Sequence, residues 1–245
     1  MTSYNGQIYI IHGMFISKVD IFDPTTKQIT KVSSISQNRV RRGCSAAIVN
    51  NKLYLIGGDY KLDNGAATDV ICFDMTRKTS KVTTGTLQRK RYRSSVGLGD
   101  YLYVCGGYDN IFNQRAWTCV ERMNTKTGVW EDIAPMNEER ASCGICVYNG
   151  KIYVAGGGKS WNKEINTFEV YDPDTNIWTR LPSMKMKRSK LSLVASLDGI
   201  YAVAGKASIA EYYSHVDRKW TDVKSFDNIT ENVASCLLPI HPYKL

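Results

Sequence analysis

The stretch Asn149–Gly157, NGKIYVAGG, runs from a tight polar turn into apolar residues and stops on two glycines. Glycine weakens a strand interior, so a strand that ends on two of them needs a reason. The phrase returns as NGQIYIIHG at 5–13, NKLYLIGG at 51–58, GDYLYVCGG at 99–107 and DGIYAVAG at 198–205. Intervals between Tyr9, Tyr54, Tyr103, Tyr153 and Tyr201 are 45, 49, 50 and 48 residues, and five such units use essentially all 245 residues. A period near 50 built from short strands marks a propeller or another repeat array.

A second phrase follows each first one: FDPTTKQI (22–29), FDMTRKTS (73–80), MNTKTGVW (123–130), YDPDTNIW (171–178) and YSHVDRKW (213–220). The fixed gap suits a short hairpin loop whose Asp, Asn, Thr and Gly residues bond their own backbone or tolerate turn dihedrals. Trp130, Trp178 and Trp220 then open the outgoing strand, where a large flat side chain buries area between sheets. Ile29 and Ser80 stand there in the first two units, which should pack less well.

Each unit therefore reads as four strands, and a four-stranded unit repeated five times is the cue for an all-β fold, a β-propeller. The units fall at about 1–40, 41–90, 91–139, 140–187 and 188–231 of one domain, 1–245. The segment 232–240 reads as a closing first strand that pairs with the N-terminal blade and removes the open edge. Five blades are the direct reading; a six-bladed ring lacking one blade is the alternative. Antiparallel order puts the loops after the glycines and the loops into the next unit on one face, and the NGK-type and Asp turns on the other. Glycine then allows close backbone approach at the rim of the channel, or positive φ as the chain leaves the strand.

The glycine doublet after IYV, the YDP turn, the Trp six residues beyond its Asp, and PMNEER or PSMKMKRS before the next strand together resemble the kelch repeat. VERMNTKTGVWEDIAPMNEERAS and FEVYDPDTNIWTRLPSMKMKRS are the clearest examples. The wording is nearest to the kelch domain of kelch-like proteins, whose propellers act as substrate receptors for cullin-based ubiquitin ligases. The resemblance implies protein binding, in the cytoplasm, with a cullin reached only through BTB and BACK domains that no part of this sequence supplies.

Composition adds exclusions. No apolar run nears the roughly 20 residues needed to span a bilayer, so no membrane role is expected. The N-terminus has no leader pattern. Seven cysteines, mostly within strands, suit a reducing compartment. Cys143 and Cys146 form a lone CxxC inside a strand with no second pair, so neither a metal nor another cofactor is expected. No paired carboxylates, Ser/His/Asp set or His cluster recurs on the loop-bearing face, so no catalysis is expected.

The net charge of +9 is uneven. Eleven of 32 basic residues sit in three loops that enter a unit: NRVRRG (Arg39, Arg41, Arg42), QRKRYRS (Arg89, Lys90, Arg91, Arg93) and KMKRSK (Lys185, Lys187, Arg188, Lys190). The fourth, NEER (Glu138, Glu139, Arg140), is an acidic notch. Basic loops around a recessed mouth favour an acidic or phosphorylated protein segment, held by Arg forks. By the resemblance, the pocket-lining positions fall on Arg41, Arg42, Arg93, Arg140, Arg188 and Ser189, and on Tyr60, Tyr108, Gly158 and Lys206; Lys159 and Trp161 share the same loops. For Arg41, Arg140 and Arg188 a structural role, tying the crossing loop to a neighbouring carbonyl, stands level with ligand binding. Actin is the rival partner. Nucleic acid is disfavoured, because no RNA-binding signature or aromatic ladder accompanies a pI near 9.1.

Overall fold

The computed structural model describes residues 2–11, 19–32, 43–58, 67–109, 115–160, 162–205 and 209–223. They form five four-stranded antiparallel blades in a ring, each with its strands in chain order from the centre outward. Blade one holds β1 (Thr2–Tyr4), β2 (Gln7–Ile11), β3 (Val19–Asp23) and β4 (Gln28–Val32). Blade two holds β5 (Ser45–Val49), β6 (Lys52–Ile56), β7 (Val70–Asp74) and β8 (Thr79–Thr83). Blade three holds β9 (Ser94–Leu98), β10 (Tyr101–Cys105), β11 (Val120–Asn124) and β12 (Trp130–Ile133). Blade four holds β13 (Gly144–Tyr148), β14 (Lys151–Ala155), β17 (Phe168–Asp172) and β18 (Ile177–Leu181), with a small hairpin, β15 (Gly158–Ser160) and β16 (Lys163–Glu164), after its glycines. Blade five holds β19 (Leu191–Ala195), β20 (Gly199–Ala204), β21 (Ala210–Ser214) and β22 (Lys219–Val223).

The closing strand read at 232–240 lies outside the described residues. The inner edge of β2, which the sequence reading assigns to it, is held by β1: Thr2 pairs with Tyr9 and Tyr4 with Gln7. Asn5 and Gly6, at φ 48° and 74°, make the two-residue turn that folds those first residues back.

The core is a series of slabs between successive blades. In β10, Leu102 and Val104 face blade two, while Tyr103 and Cys105 face blade four. A strand packed on both sides reads as an unbroken apolar run, which is why the IYV phrases do not alternate. The recurring tyrosines Tyr9, Tyr54, Tyr103 and Tyr153 each join the slab shared with the following blade. The tryptophans face the other way. The indole N–H of Trp130 donates to Thr84 O (3.3 Å), that of Trp178 to Ala134 O (2.9 Å) and that of Trp220 to Pro182 O (2.9 Å), each in the segment leaving the preceding blade. Ile29 has no side-chain donor to make this tie and is 58% exposed, and Ser80 carries no indole.

On the turn face, Asp74 Oδ1 accepts the amides of Thr76 and Arg77 at 3.0 and 2.9 Å, and Asp23, Asn124 and Asp172 cap their own loops in the same way. The amide of Arg77, above all, holds the Asp74 carboxyl below its ordinary range. At the edge of the slab between blades four and five, His215 stacks on Tyr148 (centroids 4.3 Å apart) and meets Tyr153 and Tyr213 edge to face. Burial holds its imidazole below the ordinary value.

The glycine doublets answer the question their sequence raises. Gly106 and Gly156 have φ of 58° and 61°, and a Cβ on them would lie 2.1 Å from Arg140 O and 2.5 Å from Arg188 O. Those carbonyls belong to the loop entering the next blade, and they accept the amides of Gly107 and Gly157 at 2.8 and 2.7 Å. Side chains at the doublet would push successive blades apart.

Two outcomes follow. Gly156→Ala, blocked by both φ and a backbone oxygen, should cost about 3 kcal/mol in urea unfolding, whereas Gly150→Ala, at φ 72° with nothing within 4 Å, should cost about 1 kcal/mol. Because the folded pKa of His215 is depressed, its contribution is complete above the unfolded value near 6.5 and is lost as pH falls through and below it. Unfolding midpoints measured between pH 7 and pH 5 should therefore fall less steeply for His215→Phe than for the native chain.

Candidate functional site on the crossing-loop face

The segments that cross from one blade to the next share a face with the exits of the glycine strands. Three are described, at 86–93, 136–143 and 184–191. Each is anchored by an amide to the preceding third-strand approach: Thr86 N to Thr68 O, Met136 N to Thr118 O and Met184 N to Asn166 O, at 2.8 to 2.9 Å. Each then passes a residue in the left-handed region, Tyr92, Ser142 or Lys190, at φ 52°, 52° and 56°. Ser142 N donates to Tyr92 O and Lys190 N to Ser142 O, both at 2.8 Å, so these residues form a backbone chain running from blade three to blade five.

Arg140 is wholly buried in an arrangement that uses all its donors. Nε and Nη2 reach Glu169 Oε1 at 3.3 and 2.9 Å, Nη1 reaches Gly156 O and Thr167 O at 2.7 and 2.9 Å, and Nη2 also reaches Thr167 Oγ1 at 2.8 Å. Arg188 repeats it in blade five, with Glu211 Oε1 at 3.3 and 2.9 Å, Ala204 O at 3.1 Å and Ile209 O at 2.5 Å. The second carboxylate oxygens are satisfied by the crossing backbone: Asn137 N to Glu169 at 2.8 Å and Lys185 N to Glu211 at 2.6 Å. Arginine and glutamate thus clip the crossing segment to the third strand of the blade it enters.

Of the two roles open to Arg140 and Arg188 from sequence, the geometry gives the structural one, because a partner would meet none of their N–H groups. Arg93 is drawn in as well, Nη2 lying 2.8 Å from Glu121 Oε1, with the side chain 2% exposed. It does so from three positions further along; the backbone place equivalent to Arg140 and Arg188 belongs to Lys90, whose carbonyl faces Gly57. Blade two breaks the series. The third-strand place of Glu121, Glu169 and Glu211 is Ile71, 4% exposed.

The remaining expected residues are placed as follows. Tyr108 is 5% exposed, edge-on to Tyr92, and burial pushes its hydroxyl up to about 12. Ser189 Oγ donates to Glu164 Oε1 at 2.7 Å. Lys159 pairs with Glu138 at 2.6 Å; burial alone would raise the Glu138 pKa, but Lys159, Thr167 and Arg140 together outweigh it and the carboxyl is held low. Arg41, Arg42, Tyr60, Trp161 and Lys206 lie outside the described residues. Arg89 and Lys187, on the same crossing segments, are exposed. Cys143 and Cys146 are buried within blade four and burial raises both thiols. Among the described residues no group of three His, Cys, Asp or Glu could hold a metal ion, and no helix is long and apolar enough to cross a membrane.

What sequence reasoning missed is the acidic half of the clip. Its signal is a glutamate at the second place of third strands otherwise read as apolar: VERMN, FEVYD and AEYYS.

The KLHDC2/KLHL20/DRC7 Kelch-repeats domain model matches residues 1–205. The chain belongs to the kelch-repeat family. This kelch propeller is 36% identical over 222 residues to Kelch-like protein 40 of Xenopus tropicalis, covering 85% of this chain and 35% of that protein. It is 26% identical over 223 residues to human Kelch-like protein 23, covering 88% and 39%, and 23% identical over 235 residues to Kelch-like protein 36 of Rattus norvegicus, covering 90% and 37%. The chain therefore spans little more than a third of the length of these relatives. The solved structure of YjhT has the same fold, with a TM-score of 0.67 at 17% identity over 80% of this chain and 69% of that one.

Removing one half of a clip leaves a buried charge. Arg140→Ala should cost about 3–5 kcal/mol in denaturant unfolding, and Arg140→Ala with Glu169→Ala should cost clearly less than the two single substitutions summed.

Proposed function

We propose that this propeller is a protein-interaction module that holds an acidic or phosphorylated protein segment on its crossing-loop face, and that it serves as the substrate-recognition part of an adaptor for a cullin-based ubiquitin ligase. The observation that carries the binding reading is the division of charge on that face. Arg93, Arg140 and Arg188 are matched by glutamates inside their blades, whereas Arg89 and Lys187 on the same segments stand exposed. The sequence interval extends this reading to blade two. Arg41 precedes Tyr54 by 13 residues, as Arg140 precedes Tyr153, yet its blade carries Ile71 where an internal counter-charge would sit. Unmatched cations gathered around one mouth attract an anionic segment and speed its encounter.

The ligase role rests on kinship with kelch-like proteins and on no group in the site. It requires BTB and BACK domains, joined to this propeller or supplied on another polypeptide, and it places the work in the cytoplasm, in keeping with cysteines that remain free among the described residues.

Charge reversal tests the binding reading. Arg41, Arg42, Arg89 and Lys187 are replaced by Glu together, and proteins captured from cytosol are compared by quantitative mass spectrometry across a salt series. Acidic clients should be held by the native chain, lost with rising salt, and reduced about tenfold or more by the reversal, with the unfolding midpoint little changed. Equal capture by both chains, or retention of nucleic acid alone, defeats the reading.

A further inference from the structure

Blade three departs from its neighbours where the clip should be. Lys90 holds the backbone place of Arg140 and Arg188, but Glu121 is already ion-paired with Arg93 at 2.8 Å and accepts the amide of Leu87 at 2.7 Å. Lys90 Nζ lies instead 4.1 Å from the centre of the Trp117 ring. The residue is 8% exposed, and among the described residues no carboxylate pairs with it. An ammonium set against an aromatic face is attracted to it, but its charge is not cancelled.

Trp117 is equally out of pattern. Ala67, Trp117 and Ile165 occupy one repeated place, each amide donating to the second glycine of its doublet: Gly58 O at 2.8 Å, Gly107 O at 3.1 Å and Gly157 O at 3.0 Å. Ala67 and Ile165 are 2% and 7% exposed, whereas Trp117 is 41% exposed. Its backbone is held on both sides, since its carbonyl also accepts Arg140 N at 3.2 Å. The Arg115 guanidinium lies 5.9 Å from the ring and pairs with Glu139 at 3.0 Å in an ion pair whose Arg115 side chain is 68% exposed. An exposed pair of this kind contributes little and is readily exchanged.

We propose that Trp117, with Lys90 and Arg115, is the anchor at which the crossing-loop face takes a protein segment presenting an apolar side chain beside an aspartate or glutamate. This rests on the reading of that face as the binding face and names its energetic centre. The apolar side chain covers the indole, and a rigidly held tryptophan flanked by arginine is the composition that dominates interface energies. The carboxylate takes the place of Glu139 on Arg115 and lies in the field of Lys90. Glu138 and Glu139 disfavour a long polyanion here while leaving room for one or two carboxylates, which selects an acidic peptide over a nucleic acid.

The probes are short synthetic peptides carrying one Leu next to Asp residues in a Gly/Ser background, their Asn counterparts, and a single-stranded oligothymidine. The readouts are binding by fluorescence anisotropy and the ¹⁹F resonance of 5-fluorotryptophan at position 117, assigned with Trp117→Phe. The Leu-Asp peptides should shift that resonance, and binding should weaken at least about tenfold in Trp117→Ala and severalfold in Lys90→Gln, with Lys90→Arg retaining it. A resonance that does not move in the native chain while these peptides bind, or equal binding by Trp117→Ala, overturns the anchor and leaves capture by the rest of the face standing. Binding of oligothymidine in preference to every peptide also overturns it. If the native chain binds none of the acidic peptides, the reading of the face itself falls.

Discussion

The structure depends on how a chain crosses from the rim of one sheet to the centre of the next without stranding polar groups between two apolar slabs. A buried guanidinium solves the problem in blades four and five. Arg140 and Arg188 satisfy the carbonyls that end the glycine strand, while their glutamates take up crossing amides. A buried arginine and glutamate gain little as a pair relative to apolar residues, but each is very costly without the other. The device therefore fixes where the crossing segment must lie, and the glycines provide the clearance it needs.

That constraint separates two kinds of positive charge that look alike in a sequence. Lys187 and Arg188 are neighbours in one basic, loop-like stretch ahead of a strand, yet Arg188 is a structural bolt and Lys187 faces solvent. Blade three shows that the bolt can be delivered from another position. Arg93 reaches Glu121 from beyond the left-handed residue Tyr92, and Lys90 is left to pack against Trp117.

Much of the architecture was legible because it recurs. The IYV-glycine phrases, the Asp turns and the six-residue gap to Trp130, Trp178 and Trp220 each report a local physical requirement five or three times over, and the strand count and faces follow from them. The inner strand of blade one was not legible, since TSY at 2–4 is short and gains its place only from the Asn5–Gly6 turn. The candidate site was read less well. A row of arginines shows where charge enters the fold but not whether a partner 20 to 30 residues away cancels it, as Glu169 and Glu211 do. Trp117 was hidden for the opposite reason, because its place in blades two and four is filled by Ala67 and Ile165, which are buried.

Tyrosines that look forward and tryptophans that look back give the junctions from blade two to blade five a direction. Such a contact is head-to-tail, and a head-to-tail array has no built-in stopping number; it closes only when the accumulated rotation comes full circle. A slight change of wedge angle at each junction therefore separates one blade count from the next. The two places without an indole, Ile29 in blade one and Ser80 in blade two, are where that angle is least firmly set, and there the circle has its latitude to adjust.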